Sequence, residues 1–138
     1  PDRAPDAWIN EGRCARWSAL ARPEAAGGEI AISLFETEPL ALPLTVSLLE
    51  RHPLGTQAFL PLEEVPWLVV VAADAGGVPG AVRAFRVPPR AGVQIGRGVW
   101  HAPLIALAGP ARFAVVDRIG PGANLEEHRL PRPLRIIA

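Results

Sequence analysis

The chain has 138 residues, 49% hydrophobic and 20% charged, which is the composition of a folded protein and, at this length, of one domain over residues 1–138. Fourteen basic and 14 acidic residues cancel to a net charge of zero, which argues against nucleic acid or an anionic membrane as a partner. Every basic residue is an arginine, so chemistry that needs a Schiff-base, P-loop or general-base lysine is excluded.

Short apolar runs between turn residues predict an all-β fold. Sixteen prolines and 13 glycines are spread along the chain and leave little room for long helices. Runs rich in Val, Ile and Phe at strand length favour a sandwich or barrel of antiparallel strands with little helix. The predicted strands are, in chain order, the 30–35 region, 44–52, 57–62, 67–74, 81–87, 93–95, 101–107, 112–118 and 134–138. A short helical turn is predicted over 124–130, with Asn124 as its N-cap.

The end of the predicted strand 44–52 carries an acid, a base and an imidazole. On a regular strand Glu50 and His52 share a face with Val46 and Leu48, and Arg51 lies on the other face. An acid and an imidazole that point into an apolar interior must be paired, hydrogen-bonded or bound to a metal. The alternative is that the strand ends before Glu50 and that these side chains are solvated at a sheet edge.

A second imidazole, His101, follows the glycine turn 96–98. Cupin β-barrels carry H-x-H followed by a Glu in one motif and P-x-G-x-x-H in another. The stretch 50–52 stands where H-x-H would be, Gln57 where the Glu would be, and Gly98 and His101 match the second motif. The candidate ligands of a divalent ion are therefore Glu50, His52, Gln57 and His101. A hydrogen bond in the barrel wall is the alternative for His101.

Four stretches together resemble the ureidoglycolate lyase family. They are INEGRCARW (9–17), LERHPLGTQAFLPL (49–62), GVWHAPL (98–104) and AVVDR (114–118). The resemblance implies a cupin-like (RmlC-like) β-barrel or sandwich, a homodimer, and a reaction late in purine breakdown via allantoin. That reaction cleaves (S)-ureidoglycolate to glyoxylate and urea. Nickel or another divalent ion is implied as the cofactor, and no organic cofactor is expected.

The chain departs from the family pattern at three imidazole positions, where it carries Ser18, Gly96 and Ala102. The start of the family domain is also expected to be missing before Pro1. These departures leave two alternatives open. One is a cupin-type small-acid binding or regulatory protein that has lost catalysis, and the other is a related enzyme that acts on another small polar acid.

The implied reaction needs proton transfer at a carbinolamine, for which imidazoles and carboxylates are suited. The predicted catalytic residues are Glu50, His52, His101 and Asp117. Asp117 shares a strand face with Phe113 and Val115, and a structural pairing with an arginine is its alternative.

The substrate carboxylate needs a cation, which arginine supplies with a bidentate fork. Three arginines compete for this role, Arg16, Arg51 and Arg118. Gln57 is a candidate for binding the ureido group, and Trp100 is a candidate pocket wall, although a lone tryptophan is more often part of a core.

Cys14 is the single cysteine, which excludes an intrachain disulfide framework and a thiolate zinc cage. A lone thiol suits a reducing compartment, and the cytoplasm is expected. No run approaches the ~18–20 apolar residues of a membrane helix, and no signal peptide is visible.

Overall fold

The computed structural model describes residues 2–137, which form twelve strands and no helix. The strands are β1 (Ala7–Ile9), β2 (Cys14–Arg16), β3 (Glu29–Thr37), β4 (Leu44–Arg51), β5 (Gln57–Pro61), β6 (Trp67–Ala72), β7 (Arg83–Val87), β8 (Val93–Ile95), β9 (Trp100–His101), β10 (Ile105–Ala106), β11 (Ala111–Ile119) and β12 (Glu126–Ile136). The all-β prediction is confirmed, and the strands are consistent with a cupin-like sandwich.

Two antiparallel sheets make up most of the structure. The larger has six strands. Strand β6 pairs with β7 along one edge and with β10 and β9 along the other, and the order continues from β9 through β4 to β12. The smaller has four strands in the order β3-β11-β5-β8. The hairpin β1–β2 forms a separate two-stranded sheet. This order brings β4 next to β9, although about fifty residues separate them along the chain.

The main core lies between the two sheets. Trp67 of the larger sheet meets Phe59 and Phe113 of the smaller one, with ring centroids 6.3 and 5.2 Å apart. A second apolar cluster, built from the larger sheet, includes Leu49, Val70 and Trp100. Strand β6 contributes to both clusters, because its sequence WLVVVA is apolar at every position and can be covered on both faces.

The segment predicted as a helical turn over 124–130 is part of a strand, so that prediction is wrong. Residues 126–129 pair with β4, and the Asn124 side chain accepts a hydrogen bond from the Leu54 N–H instead of capping a helix. Pairing with a distant strand outweighed the local capping pattern, which is a weak preference. A bulge between Arg129 and Leu134 holds the two prolines of β12 out of the ladder.

The predicted strand 101–107 is two short strands, β9 and β10. Pro103 lies between them, where the missing N–H removes a donor from the ladder. The predicted strand 134–138 corresponds to the end of β12, and Ala138 lies outside the described residues. Across residues 2–137, no helix has the length and apolar character that crossing a membrane requires.

Candidate active site

Glu50 and His101 are brought together by strand pairing. Glu50 on β4 is the cross-strand partner of His101 on β9, so their side chains project to the same face, with Glu50 Oε1 3.5 Å from His101 Nε2. His52 follows β4 directly, and its ring centroid lies 5.2 Å from that of His101. One ligand atom from each of the three residues lies within 4.8 Å of the other two. The predicted convergence of the acid and the two imidazoles is therefore present.

Both imidazoles are oriented by main-chain carbonyls. His52 Nδ1 lies 2.6 Å from the Asn124 carbonyl oxygen, and His101 Nδ1 lies 3.0 Å from that of Val99. Because a carbonyl only accepts, each Nδ1 must carry the proton. In the neutral rings each Nε2 then carries a lone pair, and both Nε2 atoms are buried without a hydrogen-bond partner among the described residues.

Two hydrogen bonds to distant segments of the chain hold the loop after β4 in place. The Gly98 N–H donates to the His52 carbonyl at 3.0 Å, and the Leu54 N–H donates to Asn124 Oδ1 at 2.8 Å. Gly98 has a φ of 69°, a left-handed conformation that glycine adopts without a steric penalty. The glycine turn therefore fixes His52 from one side and leads into His101 on the other.

The carboxyl group of Glu50 favours its ionised form. Its pKa lies below the ordinary value, first because His101 can donate a hydrogen bond to it and then because His101 and His52 can carry positive charge. Its partial burial acts in the opposite direction. With Glu50 ionised and His101 neutral, Oε1 and Nε2 face each other with lone pairs, and this contact is favourable only with a proton or a metal ion between them.

Gln57 and Asp117 form a second polar pair on the smaller sheet. Gln57 Nε2 donates to Asp117 Oδ2 at 3.4 Å. Because a carboxylate only accepts, this bond directs the amide nitrogen to Asp117 and leaves Oε1 facing away from it. Gln57 is 6% exposed, and its Oε1 is buried without a partner among residues 2–137. An amide oxygen in this position suits a donor or a cation brought by a ligand.

A cavity of about 480 Å³ joins Glu50 of the larger sheet to Gln57 of the smaller one. Its lining comprises Leu34, Phe35, Glu36, Thr37, Glu50, Gln57, Phe59, Pro103 and Leu104. A larger hollow of about 790 Å³ lies beside the segment 19–23, but no acid or imidazole lines it. The smaller cavity is the better candidate site, since the Glu50 carboxylate and the Gln57 amide both line it.

The predicted substrate ligands Arg51 and Trp100 lie on the opposite face of their strands from Glu50 and His101. Arg51 is paired with Asp74 and Glu126, and its guanidinium carbon lies 4.6 Å from the Trp100 ring centroid. Trp100 is 2% exposed and belongs to the second apolar cluster. The structure does not bring these two residues to the cavity.

Arg118 is also engaged elsewhere. Its guanidinium donates to the carbonyl oxygens of Ala26, Gly27, Gly120 and Pro121. By strand alternation it projects away from its neighbour Asp117, and Gly55 packs directly against its side chain. The side chain therefore ties three loops together. Arg16 is exposed at the end of β2.

The three departures from the family pattern lie outside the imidazole pair. Ala102 is 9% exposed and belongs to the second apolar cluster, on the other side of the strand from His101. Ser18 is exposed and its N–H donates to Asp6. Gly96 is exposed in the turn before Gly98. None of the three replacements removes a member of the group formed by Glu50, His52 and His101.

Sequence reasoning missed three residues that shape the site. The Asn124 carbonyl orients His52, and Asp74 and Glu126 hold Arg51. Asp74 and Glu126 lie in a turn and at a strand start, where acidic residues are common, so no local signal distinguished them. The sequence marked Asn124 as a candidate N-cap. Only the fold shows that its main-chain carbonyl contacts His52 Nδ1.

The residues present fit a divalent metal ion. Two neutral imidazole Nε2 atoms and one carboxylate are the donor set that zinc, nickel, copper and iron accept in proteins. Each imidazole also has the carbonyl partner on its second nitrogen that metal-bound histidines almost always have. The fold and this donor set place the chain among the cupin-like β-proteins with a candidate metal centre.

Within this class, the chain can be assigned to one family. The family model described as ureidoglycolate lyase matches residues 1–137, and the chain belongs to that family. It is 54% identical over 133 residues to a ureidoglycolate lyase of Rhodobacter capsulatus, covering 96% of this chain and 83% of the relative. It is 48% identical over 138 residues to ureidoglycolate lyase 2 of Rhizobium meliloti, covering 99% of this chain and 85% of the relative. Family membership makes the chain a lyase that acts on ureidoglycolate.

Proposed function

We propose that this protein cleaves (S)-ureidoglycolate to glyoxylate and urea in the cavity between the two sheets. The observation that carries the proposal is the meeting of the Glu50 carboxylate with two imidazole Nε2 atoms that have no partner among the described residues. Such a group can bind and release protons or hold a cation beside a small polar substrate. The cavity of about 480 Å³ beside Glu50 leaves room for such a substrate.

The reaction divides into two proton transfers around one bond cleavage. The hydroxyl of the carbinolamine gives up its proton as the carbonyl of glyoxylate forms, the carbon–nitrogen bond breaks, and the urea nitrogen takes up a proton. Atoms balance without water or an oxidant. We assign the first transfer to Glu50, because its lowered pKa keeps it ionised and ready to accept. With the two Nε2 atoms engaged by a metal ion, Glu50 returns the same proton to the urea nitrogen. With no ion between them, His101 or His52 can supply the proton from Nε2.

A divalent ion, nickel among the candidates, is proposed to be held by Glu50, His52 and His101. Bound there, it would supply Lewis acidity toward the substrate hydroxyl and carboxylate. The carbonyls of Asn124 and Val99 keep the two Nδ1 protons in place, so that Nε2 is the atom presented.

Gln57 and Asp117 are proposed to recognise the ureido group. Asp117 holds the amide nitrogen of Gln57, which leaves the amide oxygen free to accept from a substrate N–H. Gln57 remains an alternative fourth metal ligand, since the same oxygen could coordinate the ion. For the substrate carboxylate, the structure leaves Arg16 less engaged than Arg51 or Arg118, and the metal ion is the second candidate.

The oligomeric state, the cellular location and the pathway of the enzyme are further parts of the proposal. A homodimer is supported by β3, an edge strand whose outward residues Ile30, Ile32 and Leu34 are exposed. A cytoplasmic location is supported by the free, exposed Cys14, which suits a reducing compartment. We propose for the enzyme a step late in purine breakdown via allantoin.

The test is the fate of racemic ureidoglycolate incubated with the purified protein and nickel. The proposal predicts that half of the substrate is consumed rapidly, with equal amounts of glyoxylate and urea formed. Consumption of both enantiomers at the spontaneous rate would contradict it. Binding of the substrate without turnover would instead support the small-acid binding protein.

A further inference from the structure

The strand pairing that brings Glu50 next to His101 is very short. Glu50 and His101 form the single residue pair between β4 and β9 in the described chain, and β9 itself has two residues. A ladder this short contributes few backbone hydrogen bonds to fix the separation of the two strands. Some other contact must therefore hold the two side chains at their distance.

The reverse face of the same strand pair carries a dense polar cluster. The register that pairs Glu50 with His101 makes Arg51 and Trp100 cross-strand neighbours on the opposite face. The Arg51 guanidinium lies over the Trp100 ring, 4.6 Å from its centroid. A guanidinium stacked on a buried indole is favourable both electrostatically and by contact area.

Two carboxylates lock this stack to neighbouring strands. Asp74 Oδ1 accepts from Arg51 Nη1 at 2.6 Å and from Trp100 Nε1 at 2.9 Å. Glu126 Oε2 accepts from Arg51 Nε at 2.7 Å. Asp74 follows β6 and Glu126 begins β12, so β4, β6, β9 and β12 are joined at one point directly behind the site.

We propose that Arg51, Asp74, Trp100 and Glu126, which we call the back-face cluster, are positioning residues that set the separation of Glu50 and His101. This inference rests on the proposed function, for which that separation fixes the metal ligands. Arg51 is the link, because it follows Glu50 in the chain and both sides of its fork are occupied by carboxylates. Its partners leave it no free edge for a substrate carboxylate.

The test compares Ni²⁺ affinity, measured by calorimetry, with the steady-state constants of glyoxylate release. Trp100→Phe keeps an aromatic ring beneath Arg51 and removes the N–H that Asp74 accepts. Asp74→Asn removes the charge that faces Arg51. Because neither residue touches the cavity, both variants should bind Ni²⁺ about tenfold or more weakly and lower kcat, while KM changes little.

Glu63→Gln is the matched control. Glu63 forms a comparable carboxylate–arginine pair with Arg112, at the far end of β11. This variant should leave Ni²⁺ affinity and kcat unchanged even if it lowers the melting temperature, because it does not touch either site strand.

Wild-type Ni²⁺ affinity and kcat in folded Trp100→Phe and Asp74→Asn would overturn the inference, even if both variants melted earlier. A wild-type protein that bound no Ni²⁺ would overturn it as well. If the wild type bound Ni²⁺ but released no glyoxylate, and both variants bound Ni²⁺ more weakly than the wild type, the lyase proposal would fail and the positioning role would stand.

Discussion

At the scale of single residues, the chemistry of the site depends on which nitrogen of each imidazole ring, Nδ1 or Nε2, faces Glu50. Hydrogen bonds from Nδ1 to the carbonyls of Asn124 and Val99 turn both Nε2 atoms toward Glu50. The strand alternation of LTVSLLERH was enough to predict that Glu50 and His52 share a face. It could not show the tautomers. The carbonyl at His52 comes from Asn124, 72 positions along the chain, and the carbonyl at His101 comes from Val99, in a turn whose geometry residue spacing does not encode.

Removing the charge of Glu50 should abolish most of the activity. Glu50→Gln keeps the size of the side chain but cannot accept the substrate proton, and we expect glyoxylate release to fall about 100-fold or more. The rate measured at saturating substrate checks this, with Glu29→Gln, an exposed glutamate on β3, as the control. A wild-type rate in Glu50→Gln would remove this residue from the mechanism.

Replacing Gln57 should change ligand preference. We expect the wild type to bind N-carbamoylglycine about tenfold or more tightly than N-acetylglycine, which has a methyl group in place of the terminal NH₂, because only the first has a terminal NH₂ that can donate to Gln57 Oε1. Gln57→Met should lose this preference. Gln94→Met on β8, whose amide donates to the Arg22 carbonyl, is the matched control.

An unchanged preference in Gln57→Met would contradict recognition of the ureido group by this amide. Loss of Ni²⁺ affinity in the same variant would identify Gln57 as a metal ligand instead.

At the scale of elements, sequence patterns identified most strands but not their partners. Apolar alternation and turn residues predicted the strands that became β3 to β8 and β11. Asn124 was assigned to a helix because its local sequence resembles an N-cap, whereas its side chain accepts from Leu54 in a distant loop. The one-pair contact between β4 and β9 also had no local signal, since it depends on strands that meet only in the folded chain.

Arg118 should act on stability and not on catalysis. Arg118→Met leaves carbonyl oxygens of two loops without their donor, so we expect the free energy of unfolding to fall by about 2–4 kcal/mol. Denaturant unfolding measures this change. The KM for ureidoglycolate should stay within about twofold at a temperature where the variant is folded, and a large rise in KM at unchanged stability would restore Arg118 as the carboxylate ligand.

Asp74 should make stability depend on pH at the acid end. Its pKa lies below the ordinary value, chiefly because Trp100 donates to it, with further contributions from Gly77 and the charge of Arg51 and with desolvation opposing. A lowered folded-state pKa stabilises the fold above the unfolded-state pKa, and this contribution disappears as pH falls through the folded-state value. The wild type should therefore lose its stability advantage over Asp74→Asn as the solution is acidified below about pH 4.

Thermal unfolding of both proteins between pH 7 and pH 3 measures this difference. A gap in melting temperature that stays constant across the range would show that the charge of Asp74 does not contribute.

At the scale of the whole molecule, the exposed face of β3 is the feature that a single chain does not explain. Ile32 is 77% and Leu34 65% exposed on an edge strand of nine residues. Such an edge is open to pairing with a second chain. Light scattering should give twice the chain mass for the wild type and the chain mass for Ile32→Glu/Leu34→Glu, whereas Ile137→Glu, at an exposed position near the end of the chain, should remain a dimer.

The proposed function depends on whether the group formed by Glu50, His52 and His101 carries out the lyase reaction. The direct measurement is the initial rate of glyoxylate release from ureidoglycolate by protein that has been treated with a chelator and then reloaded with Ni²⁺. We predict a rate far above spontaneous decay after reloading, with one ion bound per chain and little activity before it. A rate no faster than spontaneous decay in the reloaded protein would contradict the proposed function.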